Sequence, residues 1–222
     1  DDDIIITPGT VTTTNVNTPN LDSPTTNVVA PQNWNTVDLN GVPHVIMTSQ
    51  AYDGYASIWR LNDDGSLTRT DWMTYQDGNT GTQAVITGSH NNITSSIPPG
   101  NLPAFGNAIS AVEVVDINGT QTMFMLSRNG SGMSAWTLNN AGQMNLAGSI
   151  HYGSSQPGLN GGLSADQEVY TGSNGNIYIY ATRSQNNYIS RVEYNPTTGT
   201  FTETPGFHVN TGVTPSGMSN FS

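Results

Sequence analysis

The chain has 222 residues, no cysteine, and 5 basic against 16 acidic side chains, for a formal net charge of −11. Because a nucleic-acid-binding surface needs cationic side chains to neutralise phosphates, this balance argues against a nucleic-acid partner. The absence of cysteine excludes disulfides, thiolate metal sites and a cysteine nucleophile. No apolar run approaches the roughly 20 residues that span a bilayer, so no membrane insertion is expected.

Composition also predicts where the protein works. Charged residues make up only 9% of the chain, while Gly, Asn, Ser and Thr are abundant. A polar surface with few charges is typical of secreted bacterial proteins, so we expect a secreted, extracellular or cell-surface location. The chain opens with DDDIIIT, without a basic and apolar leader, which favours a processed or truncated end.

Residues 1–33 are predicted to form an extended N-terminal arm. The stretch 7–33 contains four prolines and many Thr and Asn residues, and it has no helical or strand periodicity. Ahead of it, Ile4, Ile5 and Ile6 form a short β-prone run without a local partner. Such a run is expected to add a strand to a sheet of this chain or of another chain.

From residue 34 onward the sequence repeats a unit of short strands. Asn40-Gly41, Asn118-Gly119 and Asn174-Gly175 are each followed by a run rich in β-branched and aromatic residues. Asn-Gly between alternating apolar residues predicts a type I′ hairpin, in which both central residues have positive φ. A third and a fourth strand, joined by a turn containing glycine, complete each unit.

Three such units predict an all-β protein with β-propeller-type, four-stranded antiparallel blades. The blade domain covers 34–222, with blades at about 34–75, 107–152 and 164–208 and a long inter-blade loop at 76–106. Propellers have at least four blades, so three form an incomplete ring. We expect a second copy or another protein chain to complete it.

The tryptophans divide by repeat position. Trp59 and Trp136 occupy one position of the unit, two residues after Ser57 and Ser134, and are predicted to pack between blades. Trp34 and Trp72 lie outside this register and are freer to be surface or interface residues.

The third unit, NIYIYATRSQNNYISRVEYNPTTGTFTE, resembles blades of secreted bacterial propellers of the lactonase-like or YVTN type, and the likeness extends over 34–222. The chain is also similar to propeller regions of large secreted proteins of the RTX class. The opening DDDIII is a faint echo of their calcium repeats. The resemblance implies a propeller fold, but it leaves activity open because propellers include enzymes, lectins, scaffolds and adhesins.

Two acidic turns are the candidate metal sites. Asp63 and Asp64 lie in one and Asp116 in the other, and their oxygen ligands are of the kind that Ca²⁺ prefers. The same residues are ordinary turn chemistry, and neither stretch has the EF-hand spacing. The turn interpretation is favoured, with no cofactor expected and calcium as the alternative.

His90 in the long loop, His151 at the end of a fourth strand and Asp166 near the start of the third unit are the candidate binding-face residues. With Glu113 and Glu168 they would form a metal or acid/base site if they converged near the central channel. The simpler interpretation, that these residues fill strand ends, is favoured.

The sequence contains no G-x-S-x-G motif and no lysine, so no catalytic residue is assigned. The leading hypothesis is an extracellular or cell-surface structural and interaction module that acts through assembly with other chains. The alternatives are a fragment of a lactonase-like propeller hydrolase and a glycan-binding propeller.

Overall fold

The computed structural model of the chain describes residues 31–49, 55–76, 85–88, 109–127, 132–151, 164–183 and 188–210. Within these ranges the secondary structure consists of β-strands in three antiparallel sheets. The predicted all-β class with four-stranded, propeller-type antiparallel blades is therefore confirmed. No helix in the described ranges has the length and apolar character needed to cross a membrane.

Each sheet is a meander in which successive strands of the chain lie side by side. Sheet I contains β1 (Pro31–Leu39), β2 (Val42–Ser49), β3 (Tyr55–Leu61), β4 (Leu67–Gln76) and β5 (Val85–Gly88). Sheet II contains β6 (Ile109–Ile117), β7 (Thr120–Ser127), β8 (Gly132–Leu138) and β9 (Met144–His151). Sheet III contains β10 (Ser164–Thr171), β11 (Ile177–Arg183), β12 (Tyr188–Asn195) and β13 (Thr200–Asn210).

Two features of sheet I differ from the simple four-strand unit. The short strand β5 pairs antiparallel with β4, so the stretch 76–106, expected as a loop, contributes a fifth strand. β1 begins at Pro31, inside the range predicted for the arm. The rest of the arm, including Ile4–Ile6, and the rest of 76–106 lie outside the described residues.

Two of the three Asn-Gly pairs form the predicted hairpin. Asn40 and Asn118 have φ of 58° and 54°, and the glycines that follow have φ of 80° and 83°. The expectation is wrong for the third pair, because Asn174 is absent from the described non-glycine residues with positive φ. Thr171 pairs with Ile177, so five residues connect these strands, and Gly175 donates its N–H to Gly172 O at 2.9 Å.

Sheet II lies between sheets I and III and is buried on both faces. One hydrophobic core fills the space between sheets I and II, and a second fills the space between sheets II and III. The strands alternate accordingly: in β8, Trp136 belongs to the first core and Ala135 to the second. The first strands β1, β6 and β10 are neighbours from sheet to sheet along one edge, which we call the inner edge.

The two repeat-equivalent tryptophans make the same local hydrogen bond. Trp59 Nε1 donates to Ser57 Oγ, and Trp136 Nε1 donates to Ser134 Oγ, each at 2.8 Å. Both side chains are buried, Trp136 at 0% and Trp59 at 9% exposure, but only Trp136 packs between two described sheets as predicted, because Trp59 lies on the face of sheet I that points away from sheet II. The second core is instead packed by aromatic rings, with Phe124 and Tyr194 at 5.2 Å between centroids.

The fourth strand of one sheet meets the turn between the third and fourth strands of the next. Thr70 Oγ1 donates to Gly142 O at 3.0 Å, and Met144 N–H donates to Asp71 Oδ2 at 2.7 Å, so β4 is joined to the β8–β9 turn. The turn between β12 and β13 approaches β9 in the same way, with Gly199 against the backbone there. This contact repeats between successive sheets and sets their spacing.

Candidate functional site

Polar side chains join the sheets along the inner edge. A first strand has a hydrogen-bonded neighbour within its sheet on one side only, so backbone groups on its other side need other partners. Asn33 Nδ2 of β1 donates to Ser110 O of β6 at 2.6 Å. Gln167 Nε2 of β10 donates to Phe124 O of β7 at 2.8 Å. Side-chain amides from one sheet therefore hold the backbone of its neighbour.

Glu113 is the carboxyl at this edge with the most displaced pKa. It lies on β6 between Val112 and Val114, which pack toward sheet I, so its side chain points toward sheet III. Its pKa is raised to about 7, first by burial and then by the negative charges of Glu168 and Asp166, while the N–H of Val169 opposes the shift. The side chain as a whole is half-buried, but its Oε2 is buried and has no hydrogen-bond partner among the described residues.

Gln167 carries the second unsatisfied oxygen at this edge. Its side chain is 5% exposed, and its Nε2 is held by the Phe124 carbonyl. Its Oε1 is buried without a partner among the described residues. A buried acceptor without a donor costs about 1–3 kcal/mol. Two such acceptors at one contact between two sheets therefore call for a chemical explanation.

A carboxyl group with a pKa near 7 can take up and release a proton in the neutral range. The described residues contain no group of three or more His, Asp or Glu side chains placed to hold a metal ion. Proton uptake and release is a chemistry that the raised pKa of Glu113 supports. Glu168 and Asp166, which the sequence proposed together with Glu113 for an acid/base site, lie close enough for their charges to raise the pKa of Glu113.

The remaining binding-face candidates have different positions. Asp166 is half-buried near the start of β10, and its Oδ1 accepts the N–H of Gln167 at 2.9 Å. His151 ends β9. His90 lies outside the described residues. Gln167 was missed by the sequence reasoning, although a polar residue two positions before Val169, on the buried side of a strand, was an available signal.

The candidate calcium ligands are engaged in their own turns. Asp64 Oδ1 accepts the N–H of Ser66 at 2.9 Å and its hydroxyl at 2.6 Å, and these bonds lower the pKa of this exposed carboxyl. Asp116 accepts Gly119 N–H through Oδ1 at 2.7 Å and Gln121 Nε2 through Oδ2 at 3.0 Å. Asp63 is exposed beside Asp64. The two turns belong to different sheets.

Sheet I presents an aromatic face to the outside, which we call the tryptophan face. It is the side of sheet I turned away from sheet II, and register places on it Trp34, Val45, Met47, Trp59 and Trp72. Trp34 is 75% exposed. Arg69 lies over the rings of Trp59 and Trp72, at 5.8 Å from each centroid. This cation–π contact places a positive charge among the tryptophan rings.

The opposite end of the molecule has a different surface, the tyrosine face of sheet III. Register places on it Glu168, Tyr170, Tyr178, Tyr180, Arg191 and Glu193. Arg191 lies 5.2 Å from the Tyr178 ring centroid, and Asn176 Nδ2 donates to Glu193 Oε1 at 2.7 Å. Tyr170 is 57% exposed. One outer face is therefore rich in tryptophan and the other in tyrosine and charged side chains.

Comparison with known proteins adds little to this description. No family model matches the chain, and no curated protein matches it. A solved structure from Bacteroides fragilis, whose proposed activity is that of a 6-phosphogluconolactonase, is 14% identical with a TM-score of 0.49 over 82% of this chain and 40% of that one. A protein from Lactobacillus plantarum is 16% identical with a TM-score of 0.47, over 76% of this chain and 39% of that one. The chain thus spans about 40% of the length of either structure, and these values bear on neither activity nor partner.

Proposed function

We propose that this chain is an extracellular or cell-surface structural and interaction module that acts by assembling with other chains through its open sheet faces. The tryptophan face is the observation that carries the proposal. Trp59 occupies the repeat position of Trp136, which is fully buried where sheet II packs on sheet I. The equivalent face of sheet I, on which Trp59 lies, has no further sheet packed against it among the described residues.

The chemistry of the tryptophan face fits a protein partner. Trp, Met and Arg are enriched in the centres of protein interfaces, and a large aromatic side chain that becomes buried there contributes strongly to affinity. Trp34 is the large hydrophobic side chain with the greatest exposure in the described part of the chain. Burying its ring in an interface would stabilise the complex by about 25 cal/mol for each Å² of apolar surface removed from water.

A second copy of the chain is the partner we propose. Its tyrosine face would supply tyrosines and the carboxylates of Glu168 and Glu193 opposite Arg69 and the tryptophans. If the tryptophan face of each copy packs on the tyrosine face of the other, the two copies together contain six sheets. This number is within the usual range for propeller blades. Two copies related by two-fold symmetry would make this contact twice.

The hydrolase and glycan-binding alternatives have less support. Both depend on the connections at 76–106 and 152–165, of which only 76, 85–88 and 164–165 are described. The resemblance to secreted lactonase-like and RTX-class propellers is consistent with the proposed location and names no substrate. Calcium stays a prediction that binding measurements on Asp63, Asp64 and Asp116 can test.

The experiment is a measurement of native mass by light scattering over a range of protein concentrations. We expect the 23.6 kDa chain to form dimers as its concentration rises. Trp34→Ser should weaken this association about tenfold or more, because it removes the most exposed part of the apolar contact. The control is Asn140→Ser, an exposed change in the β8–β9 turn that should leave the association unchanged.

A mass of one chain at every concentration would contradict assembly between copies. Equal association of the wild type and Trp34→Ser would show that the tryptophan face is not the contact. Unaltered circular dichroism of both variants is required, so that a change in association is distinguished from unfolding.

A further inference from the structure

We propose that a proton shared between Glu113 and Gln167 holds sheet III against sheet II, and that release of this proton loosens the contact. The inference is independent of the proposed function, because it concerns an interface within one chain. One proton would then account for both oxygens without a partner at the inner edge, Glu113 Oε2 and Gln167 Oε1.

The two side chains meet the same residue of sheet II. Glu113 is the register partner of Phe124 in the β6–β7 pair. Gln167 Nε2 donates to the carbonyl of that same Phe124 at 2.8 Å, which turns the amide oxygen away from this bond. Val169, two residues further along β10, donates its backbone N–H to the Glu113 carboxylate. The carboxyl of Glu113 and the amide of Gln167 are thus both fastened at the contact between β6–β7 and β10.

The hydrogen-bond inventory of this contact lacks one donor. The carboxylate of an ionised glutamate has only hydrogen-bond acceptors, and the unbonded atom of the Gln167 amide, Oε1, is also an acceptor. A protonated carboxyl has one O–H donor, so a single proton on Glu113 can satisfy its own buried oxygen and Gln167 Oε1 together. Fully satisfied buried polar groups stabilise an interface, whereas unpaired ones weaken it.

The surrounding charges favour the protonated state. β10 contributes Glu168 and Asp166, both negative, and β7 carries no charged side chain. The other titratable side chains on strands packed against β6 are Tyr170 of β10, which lies on the outer face of sheet III, and Asp38 of β1 and His44 of β2, which belong to sheet I on the far side of sheet II. The charges that act on the Glu113 carboxyl are thus both negative.

The direction of the pH effect follows from the raised pKa of Glu113. Its value in the folded chain, about 7, lies above the ordinary 4.5. Its contribution to stability is therefore complete below pH 4.5 and is lost as the pH rises through 7, when the proton passes to solvent. Sheet III should then separate from sheet II more readily on the alkaline side of neutrality.

The test compares denaturant unfolding of the full chain at pH 5.5 and pH 8.5. We expect the wild type to be less stable at pH 8.5 than at pH 5.5. Glu113→Gln supplies a permanent N–H donor to Gln167 and has no proton to lose, so this part of the pH dependence should disappear. The matched control is Glu203→Gln on β13, which should keep the wild-type pH dependence.

A second measurement keeps the inference falsifiable if Glu113→Gln does not fold. Carboxyl-carbon NMR of the wild type should show Glu113 titrating near pH 7. Gln167→Met keeps most of the volume but removes the amide acceptor, so it should lower the pKa of Glu113. An ordinary titration of Glu113 in the wild type, an unchanged titration in Gln167→Met, or a Glu113→Gln protein with the wild-type pH dependence would each overturn the proposal.

Discussion

Gly142 shows how a single residue controls the distance between two sheets. Its φ is +73°, and a Cβ added there would lie 2.5 Å from Thr70 Oγ1 and 2.9 Å from the His44 ring. Gly65 occupies the equivalent turn of sheet I with φ +80°, and an added Cβ there meets nothing within 4 Å. The two glycines have the same backbone requirement, but only Gly142 also has a packing requirement.

We therefore predict that Gly142→Ala destabilises the protein by about 1–3 kcal/mol more than Gly65→Ala does. Both changes force alanine into a left-handed conformation, which costs about 1–2 kcal/mol, so their difference isolates the close contact with sheet I. Denaturant unfolding of the two variants gives this difference directly. Equal losses of stability would mean that the turn is free to move away from β4.

At the scale of single side chains, alternation along the strands allowed the sequence to indicate which residues pack. The equivalence of Trp59 with Trp136 follows from repeat position, whereas their hydrogen bonds to Ser57 and Ser134 were not predicted. The meeting of Glu113 with Gln167 does not, because it depends on which residues of two sheets come opposite each other. Strand periodicity assigns a side chain to a face and leaves its partner on the next sheet undetermined.

Among the structural elements, the hairpins best show what local sequence decides. Two residues connect Leu39 with Val42 and Ile117 with Thr120, so the Asn-Gly pairs there take the type I′ geometry. At Asn174-Gly175 the same dipeptide lies within a five-residue connection and takes another geometry. The dipeptide indicates a turn, but the register of the flanking strands decides its type.

Asn118→Ala should destabilise the β6–β7 hairpin by about 1–2 kcal/mol, because alanine tolerates a φ of 54° poorly. Asn118→Gly should cost much less, since glycine adopts positive φ readily. Thermal unfolding of both variants measures the difference. If the two variants lost the same stability, the Asn118 side chain rather than its backbone conformation would be the important feature.

For the whole molecule, the repeat in the sequence correctly predicted three antiparallel units and an all-β architecture. The incomplete ring stays a prediction, and the two outer faces of the described sheets differ in character. The character of these faces was harder to foresee. Trp34 and Trp72 looked exceptional only because they fell outside the repeat register, and the tyrosine face required the register of β10, β11 and β12.

The central position of sheet II also has a consequence for how the molecule opens. In a stack in which each layer contacts only its neighbours, an end layer can detach by breaking one interface, whereas the middle layer must break two. Backbone amides of β7 and β8 should therefore exchange with deuterium most slowly, and those of sheets I and III should exchange sooner. Native-state hydrogen exchange can follow this order, and sheet III should exchange faster as the pH rises, after correction for the intrinsic rates. The chain would then open in steps, with sheets I and III separating from a more stable sheet II, rather than in one cooperative transition.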